Sequence, residues 1–297
     1  MTGPEIAAVG KAIEVLGQRA LAQDEKTRDE LLVAAQGTPE FQAAARTAAA
    51  RIAVKERIKL RLYQPFARMI GVSKAYFEDV FPDEMAARTA HIPDEHMVTP
   101  PASVAVPAMQ GLSYSFEEAD LRELYLNLLT TATDDRRSES AHPAFAEVIK
   151  QLSARETTLL NATLSRLSVP AARLDDRADS GGYRVLLSHL IDVRDVLTNE
   201  PIEAPLAPLW IDNWERLGLI DVSYQSHLVD EKQYEWVVKR PEYIQFSRAI
   251  GVRKLVHTKG MISRTSFGER FIQAVSPPPG FVRPSTVEDA GGHVTLH

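Results

Sequence analysis

Apolar residues recur at three- and four-residue intervals along most of this chain, and strand-like patterning is confined to its last third. From Glu5 to about Arg88 the pattern is helical. Gly37 punctuates it, and Thr38 followed by Pro39 supplies an N-cap with proline at the first helical position. Val54, Ile58, Leu62, Phe66 and then Met69 or Ile70 form one stripe, interrupted by Pro65, which predicts a kink or a restart there. Between Ile92 and Gly111 four prolines (Pro93, Pro100, Pro101, Pro107) predict a connector held to the surface by Ile92, Met97, Val98 and Val104.

Beyond the connector, three N-terminal signatures are evident. Ser115-Phe-Glu-Glu118 has the form of a capping box and opens a helix with Leu121, Leu124, Leu128 and Leu129 inward, running to about Thr133. His142-Pro143 starts AFAEVIKQL, and Ser153-Ala-Arg-Glu156 caps RETTLLNATLSRL. ARLDDRADSGG is turn-rich, and YRVLLSHLIDVRDVL, which fits either period, is assigned to helix. LAPLWIDNWERL predicts a helix with Leu209, Trp210, Trp214 and Leu217 on its apolar face and Gly218 as its stop. LIDVSYQ, KQYEWVVK and the stretch around RKLVHTKGMISRT read as strands. Ser266-Phe-Gly-Glu269 then caps a last helix, and PPPGFVRP ends it.

The fold class expected is mainly α, with a small α+β C-terminal module whose element order is similar to that of a winged helix. The expected division is 1–91, an N-terminal helical region with a basic amphipathic helix; 92–277, a domain with helices over 115–167 and the winged-helix-like part over about 183–277; and 278–297, a flexible tail.

Four blocks carry a family resemblance by their order and spacing: EEADLRELYLNLLTTATDD, then HPAFAEVIKQLSARETTLL, then WERLGLI, then TSFGERFIQAV. Together they resemble the abortive-infection alpha (Abi-alpha) family of bacteria across Ile92 to Val275, and the basic N-terminal helix is similar to that family's charged leading region. The resemblance implies a part in phage defence by abortive infection, and it implies no catalytic residue.

Composition narrows the chemistry. The 297 residues contain no cysteine, which removes disulfides, thiolate zinc sites and cysteine nucleophiles. No basic-then-apolar leader and no 18-residue apolar run is seen, so a soluble cytoplasmic protein is expected. The P-loop, dinucleotide-fingerprint, nucleophile-elbow and H-E-x-x-H patterns are all missing, and the pattern assigns no catalytic, cofactor-binding or metal-binding residue. Asp134, Asp135, Glu139 and His142 within DDRRSESAHP are the densest group of reactive side chains, but no second histidine lies near them, and they read as a solvated joint between helices.

The net charge of −6 conceals two basic segments. Arg46 to Lys74 holds eight basic residues against Glu56 alone, and Lys239 to Arg270 holds eight against Glu242 and Glu269. In the first, Arg51, Lys55, Arg57, Lys59 and Arg61 flank the apolar stripe and are candidate contacts for an anionic membrane surface. In the second, Lys239, Arg240, Arg253, Lys254, Lys259 and Arg264 are candidate anion or nucleic-acid contacts on a wing-like ribbon. The leading expectation is a non-enzymatic phage-defence protein working through a protein partner or self-association. A nucleic-acid-binding regulator and a membrane-surface effector are the alternatives, and no small-molecule substrate or cofactor is evident.

Overall fold

A computed structural model describes residues 52–63, 76–178, 181–249, 254–278 and 294–296, with Ala50 and Phe281. The chain divides into two compact units, Met1–Glu56 and Arg57–His297. Ala50 and residues 52–56 of the first are helical. The boundary expected at 91/92 falls inside the second unit. Thr38, Pro39 and Pro65 lie outside the described residues, as do Phe66, Met69 and Ile70.

The second unit has a helical part built around one central helix. Its helices are α1 (Phe81–Thr89), α2 (Ala102–Ser115), α3 (Ala119–Thr133), α4 (Ala144–Lys150) and α5 (Ala154–Leu164). Eleven of the fifteen residues of α3 are buried, including Asn127, Thr130, Thr131 and Thr133, because α3 packs against α1, α2, α4 and α5 and against the last helix of the domain. Burial of polar groups on this scale requires partners. Thr130 and Thr133 donate to carbonyls four residues back at 2.8 Å. Asn127 Nδ2 and Thr131 Oγ1 donate at 2.9 Å to the carbonyls of Val275 and Ala274. These carbonyls end a helix and lack intrahelical partners.

The sheet is antiparallel, with β1 (Ser168–Arg177), β2 (Tyr183–Leu190), β4 (Ile220–Ser223) and β5 (Lys254–Arg264) in the order β2-β1-β5-β4. A separate ribbon pairs β3 (Val193–Asp195) with β6 (Val294–Leu296). The remaining helices are α6 (Ala207–Arg216), α7 (Pro241–Ala249) and α8 (Ser266–Val275). One face of the sheet carries Ala172, Leu174 and Leu190 against Tyr234, Trp236 and Val237.

The α+β character is as expected, and several elements differ. The ambiguous YRVLLSHLIDVRDVL is β2 and β3, and most of the turn-rich stretch before it is β1, since a ten-residue pairing with β5 stabilises extended backbone that local periodicity leaves open. KQYEWVVK is two 3-10 turns, Glu231–Tyr234 and Val237–Lys239, which turn its aromatics onto the sheet. Asp230 begins them by accepting from the Lys232 amide at 3.1 Å. The wing-like ribbon expected at this position is therefore not formed by 232–239. Most of the second half of the proline-rich connector is α2, with Pro107 inside it, because Val104, Ala105, Ala108, Met109 and Leu112 bury one stripe. Ser115 ends that helix instead of capping the next, donating to the Gly111 carbonyl at 2.9 Å. The cap of α8 is Thr265, one residue before the expected serine; its hydroxyl accepts from the Gly268 amide at 2.9 Å. Leu296, part of the expected flexible tail, is buried. No helix among the described residues is long and apolar enough to cross a membrane.

Candidate functional site

Helix α6 opens with Pro208 in its first turn and closes on Gly218, whose φ of +75° suits glycine. The Leu219 amide reaches the Trp214 carbonyl and the Gly218 amide the Glu215 carbonyl, both at 2.9 Å, so the orphaned carbonyls of the last turn are satisfied as a Schellman motif. The buried stripe of the helix is Ala207, Ile211 and Trp214. Leu209, expected inward, is 64% exposed because it lies off that stripe, and Leu206 is 43% exposed.

Leu206 and the half-buried Trp210 border a cleft of about 500 Å³. Ala154, Thr158 and Leu159 of α5 form one wall, and Val193, Ile202, Pro205, Leu206 and Trp210 the other, with Asp120, Arg155 and Glu203 also lining it. The second wall is built by groups distant in sequence. Arg240 is fully buried, and its guanidinium donates to the Val193 carbonyl at 2.6 Å and the Ile202 carbonyl at 2.8 Å. It also pairs with Glu242 at 2.8 Å, and Glu242 accepts from the Ala204 amide at 3.2 Å. Strand β3 and the segment 202–204 are thereby held together by one buried guanidinium and its partly buried carboxylate partner.

Two further contacts set α6 against its neighbours. Trp214 Nε1 donates to Glu156 Oε2 at 2.5 Å, and Glu156 Oε1 accepts from the Ser153 amide at 2.7 Å, so the expected capping box of α5 also anchors α6. His189 Nε2 lies 3.0 Å from Asp212 Oδ1, and its Nδ1 lies 3.2 Å from the Tyr224 hydroxyl. His189 sits at an irregularity in the β1–β2 register with φ +57°, a left-handed conformation that costs energy for a residue with a Cβ. Burial raises the Tyr224 hydroxyl above its ordinary range. At the end of β3, Asp195 accepts from the amides of Leu197 and Thr198 at 2.9 Å, and these bonds hold its carboxyl below the usual range.

The basic residues singled out in the sequence are dispersed. Arg240 is the clamp just described, and Arg264 Nη1 donates to the Leu164 carbonyl at 2.5 Å, at the end of α5. Lys259 is ion-paired with Glu231 and lies 5.5 Å from the Tyr234 ring centre. Lys239 and Lys254 are exposed, and Arg253 lies outside the described residues. In the other group, Arg57 pairs with Asp94 and Arg61 donates to the Met97 carbonyl at 2.6 Å. Lys59 is half-buried, Lys55 is half-buried within the first unit, and Arg51 lies outside the described residues.

The DDRRSESAHP joint is more ordered than its composition suggests. Asp134 is buried, and its carboxylate accepts from Arg136 Nε and Nη2 at 2.8 and 2.7 Å, an interaction that holds it below the usual carboxylate range. Asp135 meets His96 at 2.9 Å, and His142 Nδ1 accepts from the Ala144 amide at 3.2 Å. Among the described residues no three His, Asp or Glu side chains are placed to hold a metal.

No sequence signal pointed to the clamp, because an arginine in a basic run carries no mark of its burial. Trp210, by contrast, was legible as part of the apolar face of its helix. A family model described as abortive infection alpha matches residues 73–275, which is more than half of the chain, and the chain belongs to that family. No curated protein and no solved structure matches it.

Proposed function

We propose that this member of the abortive-infection alpha family serves phage defence as a non-enzymatic component that binds another protein through the cleft beside α6. The family supports the connection with abortive infection. The observation that carries the binding role is the cleft wall: Ile202, Leu206 and Trp210 face an open groove, while the Arg240–Glu242 pair fixes the backbone behind them. A wall held in advance loses little entropy on binding, and a half-buried tryptophan beside aliphatic side chains has the character of an interface anchor. The partner is expected to offer an apolar anchor side chain.

The test replaces Trp210 with glutamate and, separately, Leu206 with aspartate, in cells challenged with a phage against which the wild-type gene protects. Both side chains lie outside the core, so circular dichroism and expression should be unchanged. Loss of an anchor costs about 2 kcal/mol or more, so protection should fall by more than about tenfold in plating efficiency. Full protection by both variants would sink the proposal.

A further inference from the structure

A second cleft, also about 500 Å³, is bordered by α3, α5 and the end of α8, and shares only Asp120 and Thr158 with the first. Its apolar lining comes from Leu124, Ile272, Val275, Pro277 and Phe281. Its polar lining is one-sided. Thr157 donates its proton to the Ala154 carbonyl at 2.7 Å, Ser165 to Ala162 at 2.8 Å, and Ser276 to Ile272 at 2.5 Å, so all three hydroxyls keep only lone pairs for a visitor. Asn127 is 4% exposed, and its Nδ2 is committed to the Val275 carbonyl, which fixes the amide so that Oδ1 is the free end. That Oδ1 is buried without a hydrogen-bond partner. A buried acceptor left unpaired is destabilising, and a donor entering the cleft would relieve it. Glu123 also lines the cleft, ion-paired with Arg88 at 2.5 Å, and no lysine, arginine or histidine lines it.

The geometry points to a binding site for a small amine: a molecule with an apolar, preferably aromatic, body and N–H donors at one end. The body lies against Leu124, Val275 and Phe281, and the donors meet Asn127 Oδ1 and the lone pairs of Thr157 and Ser276. Anionic ligands of the same shape are disfavoured, because acceptors outnumber donors in the lining and the guanidinium beside it, Arg88, is committed to Glu123 and to the Phe281 ring. This site is separate from the groove assigned to the protein partner, and neither depends on the other.

Matched pairs of probes test it by calorimetry on the full chain: tryptamine against indole-3-propionate, and phenethylamine against 3-phenylpropionate. The amines should bind with a Kd of about 1 mM or tighter and the carboxylates should not. Asn161, exposed on α5 and lining the cleft, is replaced with lysine. Asn161→Lys should weaken the amines by about tenfold with an unchanged melting temperature, because it sets a cation at the lining without touching the core. Asn127→Leu should abolish binding, and its folding is checked by circular dichroism because it also loses the bond to Val275. No heat from either amine up to about 10 mM, equal binding of the carboxylates, or an Asn161→Lys protein that binds as wild type each overturns the assignment.

Discussion

Glu156 concentrates several contacts in one side chain. It is 3% exposed, and its two oxygens accept from the Ser153 amide, the Ser153 hydroxyl and the Trp214 indole. Three donors onto a buried carboxylate are charge-assisted bonds, each stronger than a neutral one. Glu156→Gln keeps the shape but replaces one acceptor with an NH2 group, which then faces either the indole N–H or the Ser153 donors. A loss of about 2–3 kcal/mol is expected, measured as a lower urea midpoint at unchanged slope. Trp214→Phe, which removes the indole donor and leaves a small void, should cost a similar amount. The two losses should not add in the double variant, because they break the same contact. Half of this cluster could be read in the sequence: Ser153 and Glu156 are three residues apart and form a local signature. The other half could not, because Trp214 lies 58 residues from Glu156 and no periodicity encodes that distance.

At the scale of elements the same contrast recurs. Helices with strong local signals, such as α5 with its capping box and α6 with its glycine stop, were legible because caps and stops act within four or five residues. Strands β1 and β2 were not, because what holds them extended is pairing with each other and with β5, and the partners Ser168 and Ser263 are 95 residues apart. The stretch 232–239 misled for a related reason: Tyr234, Trp236 and Val237 have strand-forming side chains, yet they are used to cover a sheet face from two 3-10 turns. Arg240 follows directly, and its role as the clamp between β3 and 202–204 was hidden within a basic run. Arg240→Met should test that role. It removes the donors to Val193 and Ile202 and leaves the partly buried Glu242 without its cation, which should cost about 2–3 kcal/mol. Arg240→Lys should recover only part, since an ammonium cannot reproduce the planar fork. Faster amide exchange at Val193 and Ile202 in Arg240→Lys, with α3 unaffected, would mark the clamp as local to the cleft wall.

For the whole molecule, the perturbed groups predict the shape of stability against pH. His257, half-buried on β5 beside Tyr243, is held below its ordinary value of 6.5 by burial. A histidine whose folded pKa is depressed binds fewer protons folded than unfolded, so its contribution is complete above 6.5 and drains away as pH falls from there towards its folded value. Asp134 and Asp195 are held below 3.8, Asp134 chiefly by the Arg136 side chain and Asp195 by the amides of Thr198 and Leu197; their contributions are complete above 3.8 and are lost as pH falls below it. Tyr76, Tyr125, Tyr224 and Tyr234 are all raised above 10.0, chiefly by burial. Their stabilisation is intact below that value and is lost as pH rises through their folded pKa values. Stability should therefore form a plateau from about 6.5 to 10, with a shallow one-proton decline on the acid side before the steeper carboxylate loss. Urea midpoints across this range measure the profile. His257→Gln should remove the shallow decline that begins below 6.5 while leaving the carboxylate loss below 3.8 in place; a decline that persists in this variant would assign it to another group.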